Sequence, residues 1–372
     1  RCLVGSEMCI RDRAYIESIK LSNFRNYESL ELSFDKGTNI FYGDNAQGKT
    51  NILESVYLCG TSKSHKGSKD REIIRFEQDE AHIRMMVGKD SMSYKIDMHL
   101  RKNKAKGVAI NGLPIKKARE LLGVVNLVFF SPEDLNIIKN GPSERRHFLD
   151  AELCQLDKIY LSDLSNYNKI LNQRNKLLKD MVYRPELSDT LPVWDMQLAD
   201  TGKKIIRRRE QFVKELNEIV HEIHYRISGG REELFLSYEP SVSADLLEQE
   251  LERVKPRDLK QCQTSVGPHR DDLLFSIAGV DIRKFGSQGQ QRSAALALKL
   301  AQLEYVRQEI DEFPVLLLDD VMSELDDQRR CQLLKFIDGK VQTFITVNDK
   351  ALIPDLSGNA YFRIIEGRIA EG

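Results

Sequence analysis

GDNAQGKT, residues 43–50, fits the pattern G-x-x-x-x-G-K-[ST] at each fixed position: Gly43, Gly48, Lys49 and Thr50. In that pattern successive backbone N–H groups point into one small concavity, a lysine reaches the terminal phosphates of a nucleotide, and a hydroxyl binds Mg²⁺. Asp44, Asn45, Ala46 and Gln47 complete the cradle, with Asn45 and Gln47 as lesser contacts. The flanks supply the context the motif requires. GTNIFYG (37–43) is a short strand leading into the loop. KTNILESVYLCG (49–60) has apolar residues at 52, 53, 56 and 57, which reads as a helix with Gly60 as its stop. Strand, glycine loop and helix predict a nucleoside-triphosphate site in an α/β fold.

The chain of 372 residues is long enough for two domains. Its 56 basic and 57 acidic residues leave a formal net charge of -1, which neither announces nor excludes a nucleic-acid partner, since one basic face is enough. Cysteines at 2, 9, 59, 154, 262 and 331 form no close metal-ligand pair and read as free thiols of a reducing compartment. No run of 18 apolar residues exists, so no membrane helix and a cytoplasmic location are expected. His221 and His224 read as surface helix residues rather than a metal site. RCLVGSEMCIRDR (1–13) begins without methionine and matches neither strand, helix nor signal peptide; ordered structure is expected from about Ala14.

Outward from the phosphate loop, YIESIKLSNFRNYESLELSF (15–34) alternates as a hairpin or two sheet strands, and residues 71–130 look strand-rich, with a tight turn at Asn111-Gly112. VVNLVFFSPEDL (124–135) ends a buried strand at Ser131, and Pro132 opens a helix. From GPSERRHFLD (141–150) to about His224 the pattern is helical, broken between Pro185 and Pro192, and its two long helices suit an antiparallel pair. ELFLSYEP (233–240) is strand-like, SADLLEQELERVK (243–255) helical, and DDLLFSIAGVDIRKF (271–285) strand and turn. GSQGQQ (286–291) precedes an alanine- and leucine-rich helix; FPVLLLDDVMSELD (313–326) holds an apolar strand ending in two carboxylates; VQTFITVND (341–349) is another buried strand.

Asp319 and Asp320 close the VLLL strand, where a Mg²⁺ ligand (Asp319) and a carboxylate for the attacking water (Asp320) are needed beside a phosphate loop. GSQGQQ makes a second anion site from exposed N–H groups at a helix start. One nucleotide rarely needs two such sites unless the second meets the nucleotide of a partner subunit. On these residues the chain resembles the ATP-binding-cassette superfamily. Ser287, Gln288, Gly289 and Gln290 are similar to its signature loop, Asp319-Asp320 to its Walker B pair, and Ser323 to Asp326 to its D-loop. LSNFRNY (21–27), FYGDNAQGKTNILE (41–54), GPSERRHFLD, VGPHRDD (266–272), FGSQGQQR (285–292) and LLLDDVMSELD (316–326), in order from 15 to 360, further resemble the bacterial RecF family of DNA replication and repair proteins.

The resemblance implies an α/β P-loop head of ABC ATPase type, related to chromosome-maintenance and double-strand-break repair ATPases, with an inserted, mostly helical second domain. The boundaries it suggests are a leader at 1–13, a first head lobe at 14–135, the insertion at 136–262 and a second head lobe at 263–372. It implies ATP and Mg²⁺ as cofactors and an ATP-dependent head-to-tail homodimer. It also implies binding to double-stranded or gapped DNA, and loading of a recombinase onto single strands with mediators of the RecO/RecR type in the SOS response to damage. Two positions depart from the superfamily pattern. Thr346, Asn348 or Asp349 stands where a histidine is common, and Ser131, Glu133 and Asp134 where a glutamine is common, so the γ-phosphate sensor stays open.

Within that frame Lys49 is the β/γ-phosphate ligand, Thr50 and Asp319 hold Mg²⁺, Asp320 is the catalytic carboxylate, and Ser287, Gln288, Gly289 and Gln290 act in trans with the D-loop. Arg25 and Asn26 are candidate nucleotide contacts; His269 reads as a structural histidine, with a catalytic role in its tight loop left open. Candidate DNA contacts are Arg145 and Arg146, with Lys102, Lys104, Lys116 and Lys117 from the clusters RKNKAKG (101–107) and IKKAR (115–119); KSHKGSK (63–69) and KKIIRRR (203–209) are further basic runs. No base-reading motif is evident, so backbone contact and salt dependence are expected. A small-molecule kinase leaves GSQGQQ without a role, a transport-type subunit needs a membrane partner, and a nuclease of the overcoming-lysogenization type needs a further domain after residue 326.

Overall fold

The computed structural model describes residues 14–89, 92–117, 120–353 and 359–370. The 1–13 segment, with Cys2 and Cys9, and Ala118-Arg119 of the second basic cluster lie outside them. The chain divides into two compact units, one of residues 1–134 with 299–372 and one of residues 135–298. No described helix is long and apolar enough to cross a membrane.

The first unit opens with β1 (Tyr15–Phe24) and β2 (Tyr27–Ser33), an antiparallel hairpin whose Phe24 faces Tyr27 across the Arg25-Asn26 turn. β3 (Thr38–Tyr42) leads through the phosphate loop into α1 (Lys49–Thr61), followed by a short α2 (Asp70–Ile73). Gly60 does not stop α1; the helix ends at Ser62 in the left-handed region. A Cβ on Gly60 would lie 2.4 Å from Leu127 Cδ1, so the glycine lets the helix lie close to a strand. β4 (Glu80–Lys89), β5 (Met92–Arg101), β6 (Lys104–Ile110) and β7 (Leu113–Pro114) extend the hairpin into an antiparallel sheet of order β2-β1-β4-β5-β6-β7. Strict alternation drives it. Ile83, Met85, Met98 and Leu100 enter the core, while His82 and Arg84 face out. Asn111 and Gly112 turn β6 into β7 with positive φ at both, the geometry a two-residue hairpin needs. β8 (Leu127–Phe130) is buried throughout.

The second unit carries α3 (Leu135–Lys139), α4 (Pro142–Leu156), α5 (Lys158–Asp180), α6 (Leu191–Ile227), β9 (Leu234–Glu239), α7 (Leu247–Gln261), β10 (Asp272–Ile277), β11 (Val280–Asp281) and α8 (Ile282–Phe285). α9 (Gln288–Ile310) starts in this unit, and the division falls within it at Leu298. α5 and α6 are antiparallel neighbours: Tyr160 meets Arg209, Tyr167 meets Gly202, and Arg174 meets Asp195. The second boundary differs from the expectation of 262. Residues 263–298, read in the sequence as head, belong here because β10 pairs with β9 along its whole length and β11 with β10.

Polar ties hold this unit together. Arg174 is fully buried and donates to Asp195 at 2.6 Å, to Asp258 at 2.8 Å and to Thr264 at 2.9 Å. Asp258, also fully buried, accepts from Ser265 through both N–H and hydroxyl. Replacing Arg174 with leucine strands the Asp258 charge, so urea unfolding of R174L should show this unit destabilised by roughly 3–5 kcal/mol, recovered in part by adding Asp258→Leu. A loss under about 1 kcal/mol would contradict that reading of the ion pair.

Both ring nitrogens of His269 have partners within this unit. Thr264 O can only accept, so Nε2 donates to it at 3.1 Å, and Nδ1 accepts from Tyr167 OH at 2.7 Å. Burial pushes its pKa from 6.5 down to about 4. The unfolded chain therefore takes up this proton first on acidification, and stability falls as pH drops from about 6.5 to about 4, by up to about 3 kcal/mol. Denaturation curves at successive pH values should show this slope in the wild type and a shallower one in His269→Gln. His221 and His224 are not both surface residues: His224 is buried, and the His221 ring lies 4.8 Å from that of Phe235.

The first unit then resumes with β12 (Val315–Asp319), α10 (Val321–Glu324), α11 (Asp327–Ile337), β13 (Thr343–Val347), β14 (Ala360–Ile365) and β15 (Arg368–Ala370). They complete a second sheet of order β15-β14-β3-β13-β12-β8, parallel except for β15. Every residue of β12 and β13 is buried, which is why these strands read as unbroken apolar runs.

Candidate nucleotide-binding site

Parallel register brings the chemistry to one edge. Asp319 at the end of β12 pairs with Thr346 of β13, and Thr346 with Phe41 of β3, two residues before Gly43. The phosphate loop, both aspartates and the residues after β13 thus share the carboxyl edge of the sheet, where open α/β sheets bind ligands.

The loop requires its glycines. Gly43 has φ 141° and Gly48 φ 110°; a Cβ on the first would lie 2.5 Å from Ile364 O, and on the second 2.8 Å from Tyr27 OH. Gly48 caps α1 with no side-chain bond to its first turn, so those N–H groups stay available to an anion. The loop is braced from outside. Tyr27 OH donates to Gly48 O at 3.0 Å, Asn26 Nδ2 donates to Gln47 O at 3.0 Å and Asn26 Oδ1 accepts from Asn51 at 2.8 Å; Gln47 Oε1 accepts from the Glu366 N–H. Asp44, Asn45 and Ala46 are exposed at the loop crest.

Lys49 is buried, with Nζ donating to Gly43 O at 2.5 Å, Asp44 O at 2.7 Å and Asn348 Oδ1 at 3.0 Å. Burial lowers its pKa, opposed by Asp320, Asp44 and Asp319. Thr50 donates its hydroxyl to Asp319 Oδ1 at 2.7 Å, and Thr346 donates to the same oxygen at 2.8 Å. Two oxygen ligands side by side at the head of a phosphate loop fit a hard cation such as Mg²⁺. Asp320 stands in the left-handed region at φ 53°, its N–H bonded to Thr346 Oγ1 at 2.9 Å. Burial raises its pKa and Asp319 adds to the rise, while Ser323 and Lys49 oppose it. Ser323 hydrogen-bonds the Asp320 carbonyl at 2.7 Å and its carboxylate at 3.1 Å; Asp326 caps α11 through the Arg329 N–H at 2.9 Å.

Of the residues left open as sensors, Asn348 touches Lys49, and Thr346 touches both aspartates. Asp134 instead accepts from the Ser131 N–H at 2.7 Å and pairs with Lys299 at 2.8 Å. Arg25 is committed elsewhere than to a free face. It forks onto the buried Glu54 at 2.7 and 2.8 Å and reaches Ser68 and Glu72 O. Burial alone pushes the Glu54 carboxyl up, but bonds from Arg25 and Ser64 hold it below its usual range. Sequence reading missed Glu54, Tyr27 and Asn51; an acid four residues after Thr50, on the apolar side of α1, was the signal that a cation must reach it.

In the second unit, Ser287 Oγ accepts from the Gln290 N–H at 3.2 Å and Gln290 Oε1 accepts from the Ser287 N–H at 2.8 Å, a reciprocal cap on α9. Gln288 is exposed beside it; Gln290 Nε2 also donates to Glu232 at 2.9 Å. Arg145 is not a DNA-facing residue. It is 1% exposed, forks onto Asp272 at 2.5 and 3.0 Å, and donates to Ile137 O and Asn140 O. Arg146 is half-buried and donates to Asp271 O at 2.8 Å. The 203–209 run is likewise answered locally. Lys203, Lys204, Arg207 and Arg208 pair with Glu248, Asp200, Asp245 and Asp157, and Arg209 is buried against Asp150. Lys102, Lys104, Lys116 and Lys117 are exposed, with Lys102 near Asp79 at 3.2 Å.

A phosphate loop between a parallel strand and a helix, with an aspartate pair ending the next strand but one, defines a P-loop ATPase of the ABC and SMC type. The profile of the RecF/RecN/SMC N-terminal domain matches residues 15–364. The chain is 63% identical over 356 residues to the DNA replication and repair protein RecF of Agathobacter rectalis, covering 95% of this chain and 98% of that protein. It is 55% identical over 358 residues to the RecF of Lachnospira eligens, at 95% and 98% coverage. Among solved structures, the recombination mediator protein RecF with ATP superposes with TM-score 0.91 at 39% identity, covering 98% of this chain and 99% of that one. An Smc head domain from Pyrococcus furiosus shares the fold, with TM-score 0.57 at 17% identity over 96% and 95%. The chain belongs to the RecF family of DNA replication and repair proteins.

Proposed function

We propose that ATP, bound on the phosphate loop, joins two copies of this chain head to tail, and that the pair binds double-stranded or gapped DNA. The observation that carries the reading is the convergence of Lys49, Thr50, Asp319, Asp320 and Thr346 at one sheet edge. Thr50 and Asp319 would hold Mg²⁺, which when bound neutralises charge on the phosphates. Lys49 exchanges its carbonyl partners for phosphate oxygens. Asp320 orients the attacking water, and its reach, shorter than that of glutamate, makes hydrolysis slow, so ATP acts as a switch and hydrolysis as the reset. Ser287, Gln288, Gly289 and Gln290, with Ser323 and Asp326, meet the nucleotide of the second copy. Asn26 acts on the nucleotide by bracing the loop, and Arg25 by holding Glu54 of the helix that follows it.

DNA contact falls to the exposed lysines Lys102, Lys104, Lys116 and Lys117 at one end of the antiparallel sheet, reading backbone rather than bases. The complex then assists recombinase loading with mediators of the RecO/RecR type, inside the cell. Fluorescence anisotropy on a gapped duplex tests the reading. Binding should tighten with ATP, weaken as salt rises, and lose roughly one unit of salt slope for each phosphate-contacting lysine removed. Equal affinity with and without ATP would overturn it.

A further inference from the structure

The outer face of the antiparallel sheet carries a second constellation. His82 of β4 and His99 of β5 stand directly opposite each other, their rings stacked with centroids 4.0 Å apart. Glu80, two residues before His82 on the same face, brings a carboxylate 2.8 Å from His99 Nε2 and 3.9 Å from His82 Nε2. One ligand atom from each of the three lies within 4.8 Å of the others. Three ligands bound at 2.0–2.1 Å with tetrahedral angles sit about 3.4 Å apart, between the two separations observed. Bringing all three ligand atoms, which lie within 4.8 Å of one another, to that spacing takes side-chain rotations that turn the stacked rings toward a common point.

Position favours the site. β4 and β5 are inner strands, flanked by β1 and β6, so the backbone holding both imidazoles is fixed by ladders on either side. Gly107 of β6, opposite His99, presents no side chain, and a Cβ there would stand 3.9 Å from His99 Cβ. With Ala109 and Ser22 it lines a groove of about 450 Å³ on this face, room for further ligands. Of the neighbouring cations, Arg84 pairs with Asp97 at 2.6 Å and Lys20 with Glu31 at 2.9 Å, while Arg101, opposite Glu80 in the β4–β5 register, donates to Ala105 O at 3.1 Å.

We propose that Glu80, His82 and His99 form a binding site for a divalent transition-metal ion of the zinc class, separate from the nucleotide site and its Mg²⁺. Two imidazoles and one carboxylate select zinc, cobalt, nickel or copper over magnesium. Three protein ligands leave a fourth position for water.

The test is titration of the full-length protein with Co²⁺ and then Zn²⁺, in excess Mg²⁺ so that the phosphate loop is occupied. One Co²⁺ per chain should bind with visible ligand-field bands and without the near-ultraviolet charge-transfer band of a thiolate, and Zn²⁺ should displace it. His82→Ala and His99→Ala should each weaken binding by more than the roughly 10–100-fold that loss of a residue merely orienting a ligand costs. Glu80→Gln should weaken it less, and ATP binding should be unchanged in all three. Should a variant fold poorly, the unaltered chain still decides: Co²⁺ should shift the ring protons of two of its seven histidines. Absence of stoichiometric binding, a thiolate band, or equal affinity in the histidine variants would overturn the proposal.

Discussion

Lys49→Ala should abolish measurable ATP binding, and with it every ATP-dependent property of the chain. The ammonium sits where the loop's geometry aims it, held by two loop carbonyls and Asn348. Burial already disfavours its charge, and Asp320, Asp44 and Asp319 sustain it. With nucleotide bound, that charge answers phosphate oxygens in a largely desolvated site, where charge-assisted bonds contribute most. Losing a buried charge partner costs about 3–5 kcal/mol, or roughly 10²–10⁴-fold in affinity. Calorimetric titration with ATP measures this directly, and a loss under about tenfold would mean that the loop N–H groups alone hold the nucleotide.

Asp320→Asn should leave ATP binding intact and lower hydrolysis by roughly 10²–10⁴-fold, the contribution of a positioned acid or base. Asparagine is the informative replacement because Asp320 occupies the left-handed region, which asparagine tolerates. The amide keeps the side chain's size and removes its basicity. Single-turnover phosphate release separates the outcomes. Normal release in D320N would move the catalytic role to another group near the γ-phosphate, with Thr346 the nearest candidate by its bonds to both aspartates.

Much of the fold was legible because local signals and long-range needs agree. The phosphate loop could be read because Gly43 and Gly48 occupy backbone positions that a Cβ would obstruct, so the pattern records geometry rather than composition. The buried parallel strands announced themselves as apolar runs, and the aspartates ending β12 needed the loop beside them. What stayed hidden depends on pairing between distant segments. Nothing local ties residues 272–277 to 234–239, so the inserted unit's reach to residue 298 followed only from the strand ladder. Arg145 looked like one half of a basic pair, yet its partner Asp272 is 127 residues away. Charge runs mislead in this way: a sequence shows the cations of a cluster but not the acids that other helices bring to them, as in the 203–209 run. Glu80, His82 and His99 escaped notice for the same reason, since only the β4–β5 register sets the histidines face to face.

The most direct test of the central claim is molar mass by light scattering without nucleotide, with ADP and with ATP, for wild type and Ser287→Arg. Arginine at this helix cap adds bulk and charge where the proposed pairing would seat the second copy's nucleotide, while leaving the phosphate loop untouched. With ATP alone the mass should rise from 42.8 kDa to twice that, a rise lost in S287R although its ATP affinity is retained. A wild-type mass unchanged under saturating ATP would contradict ATP-driven pairing of two copies.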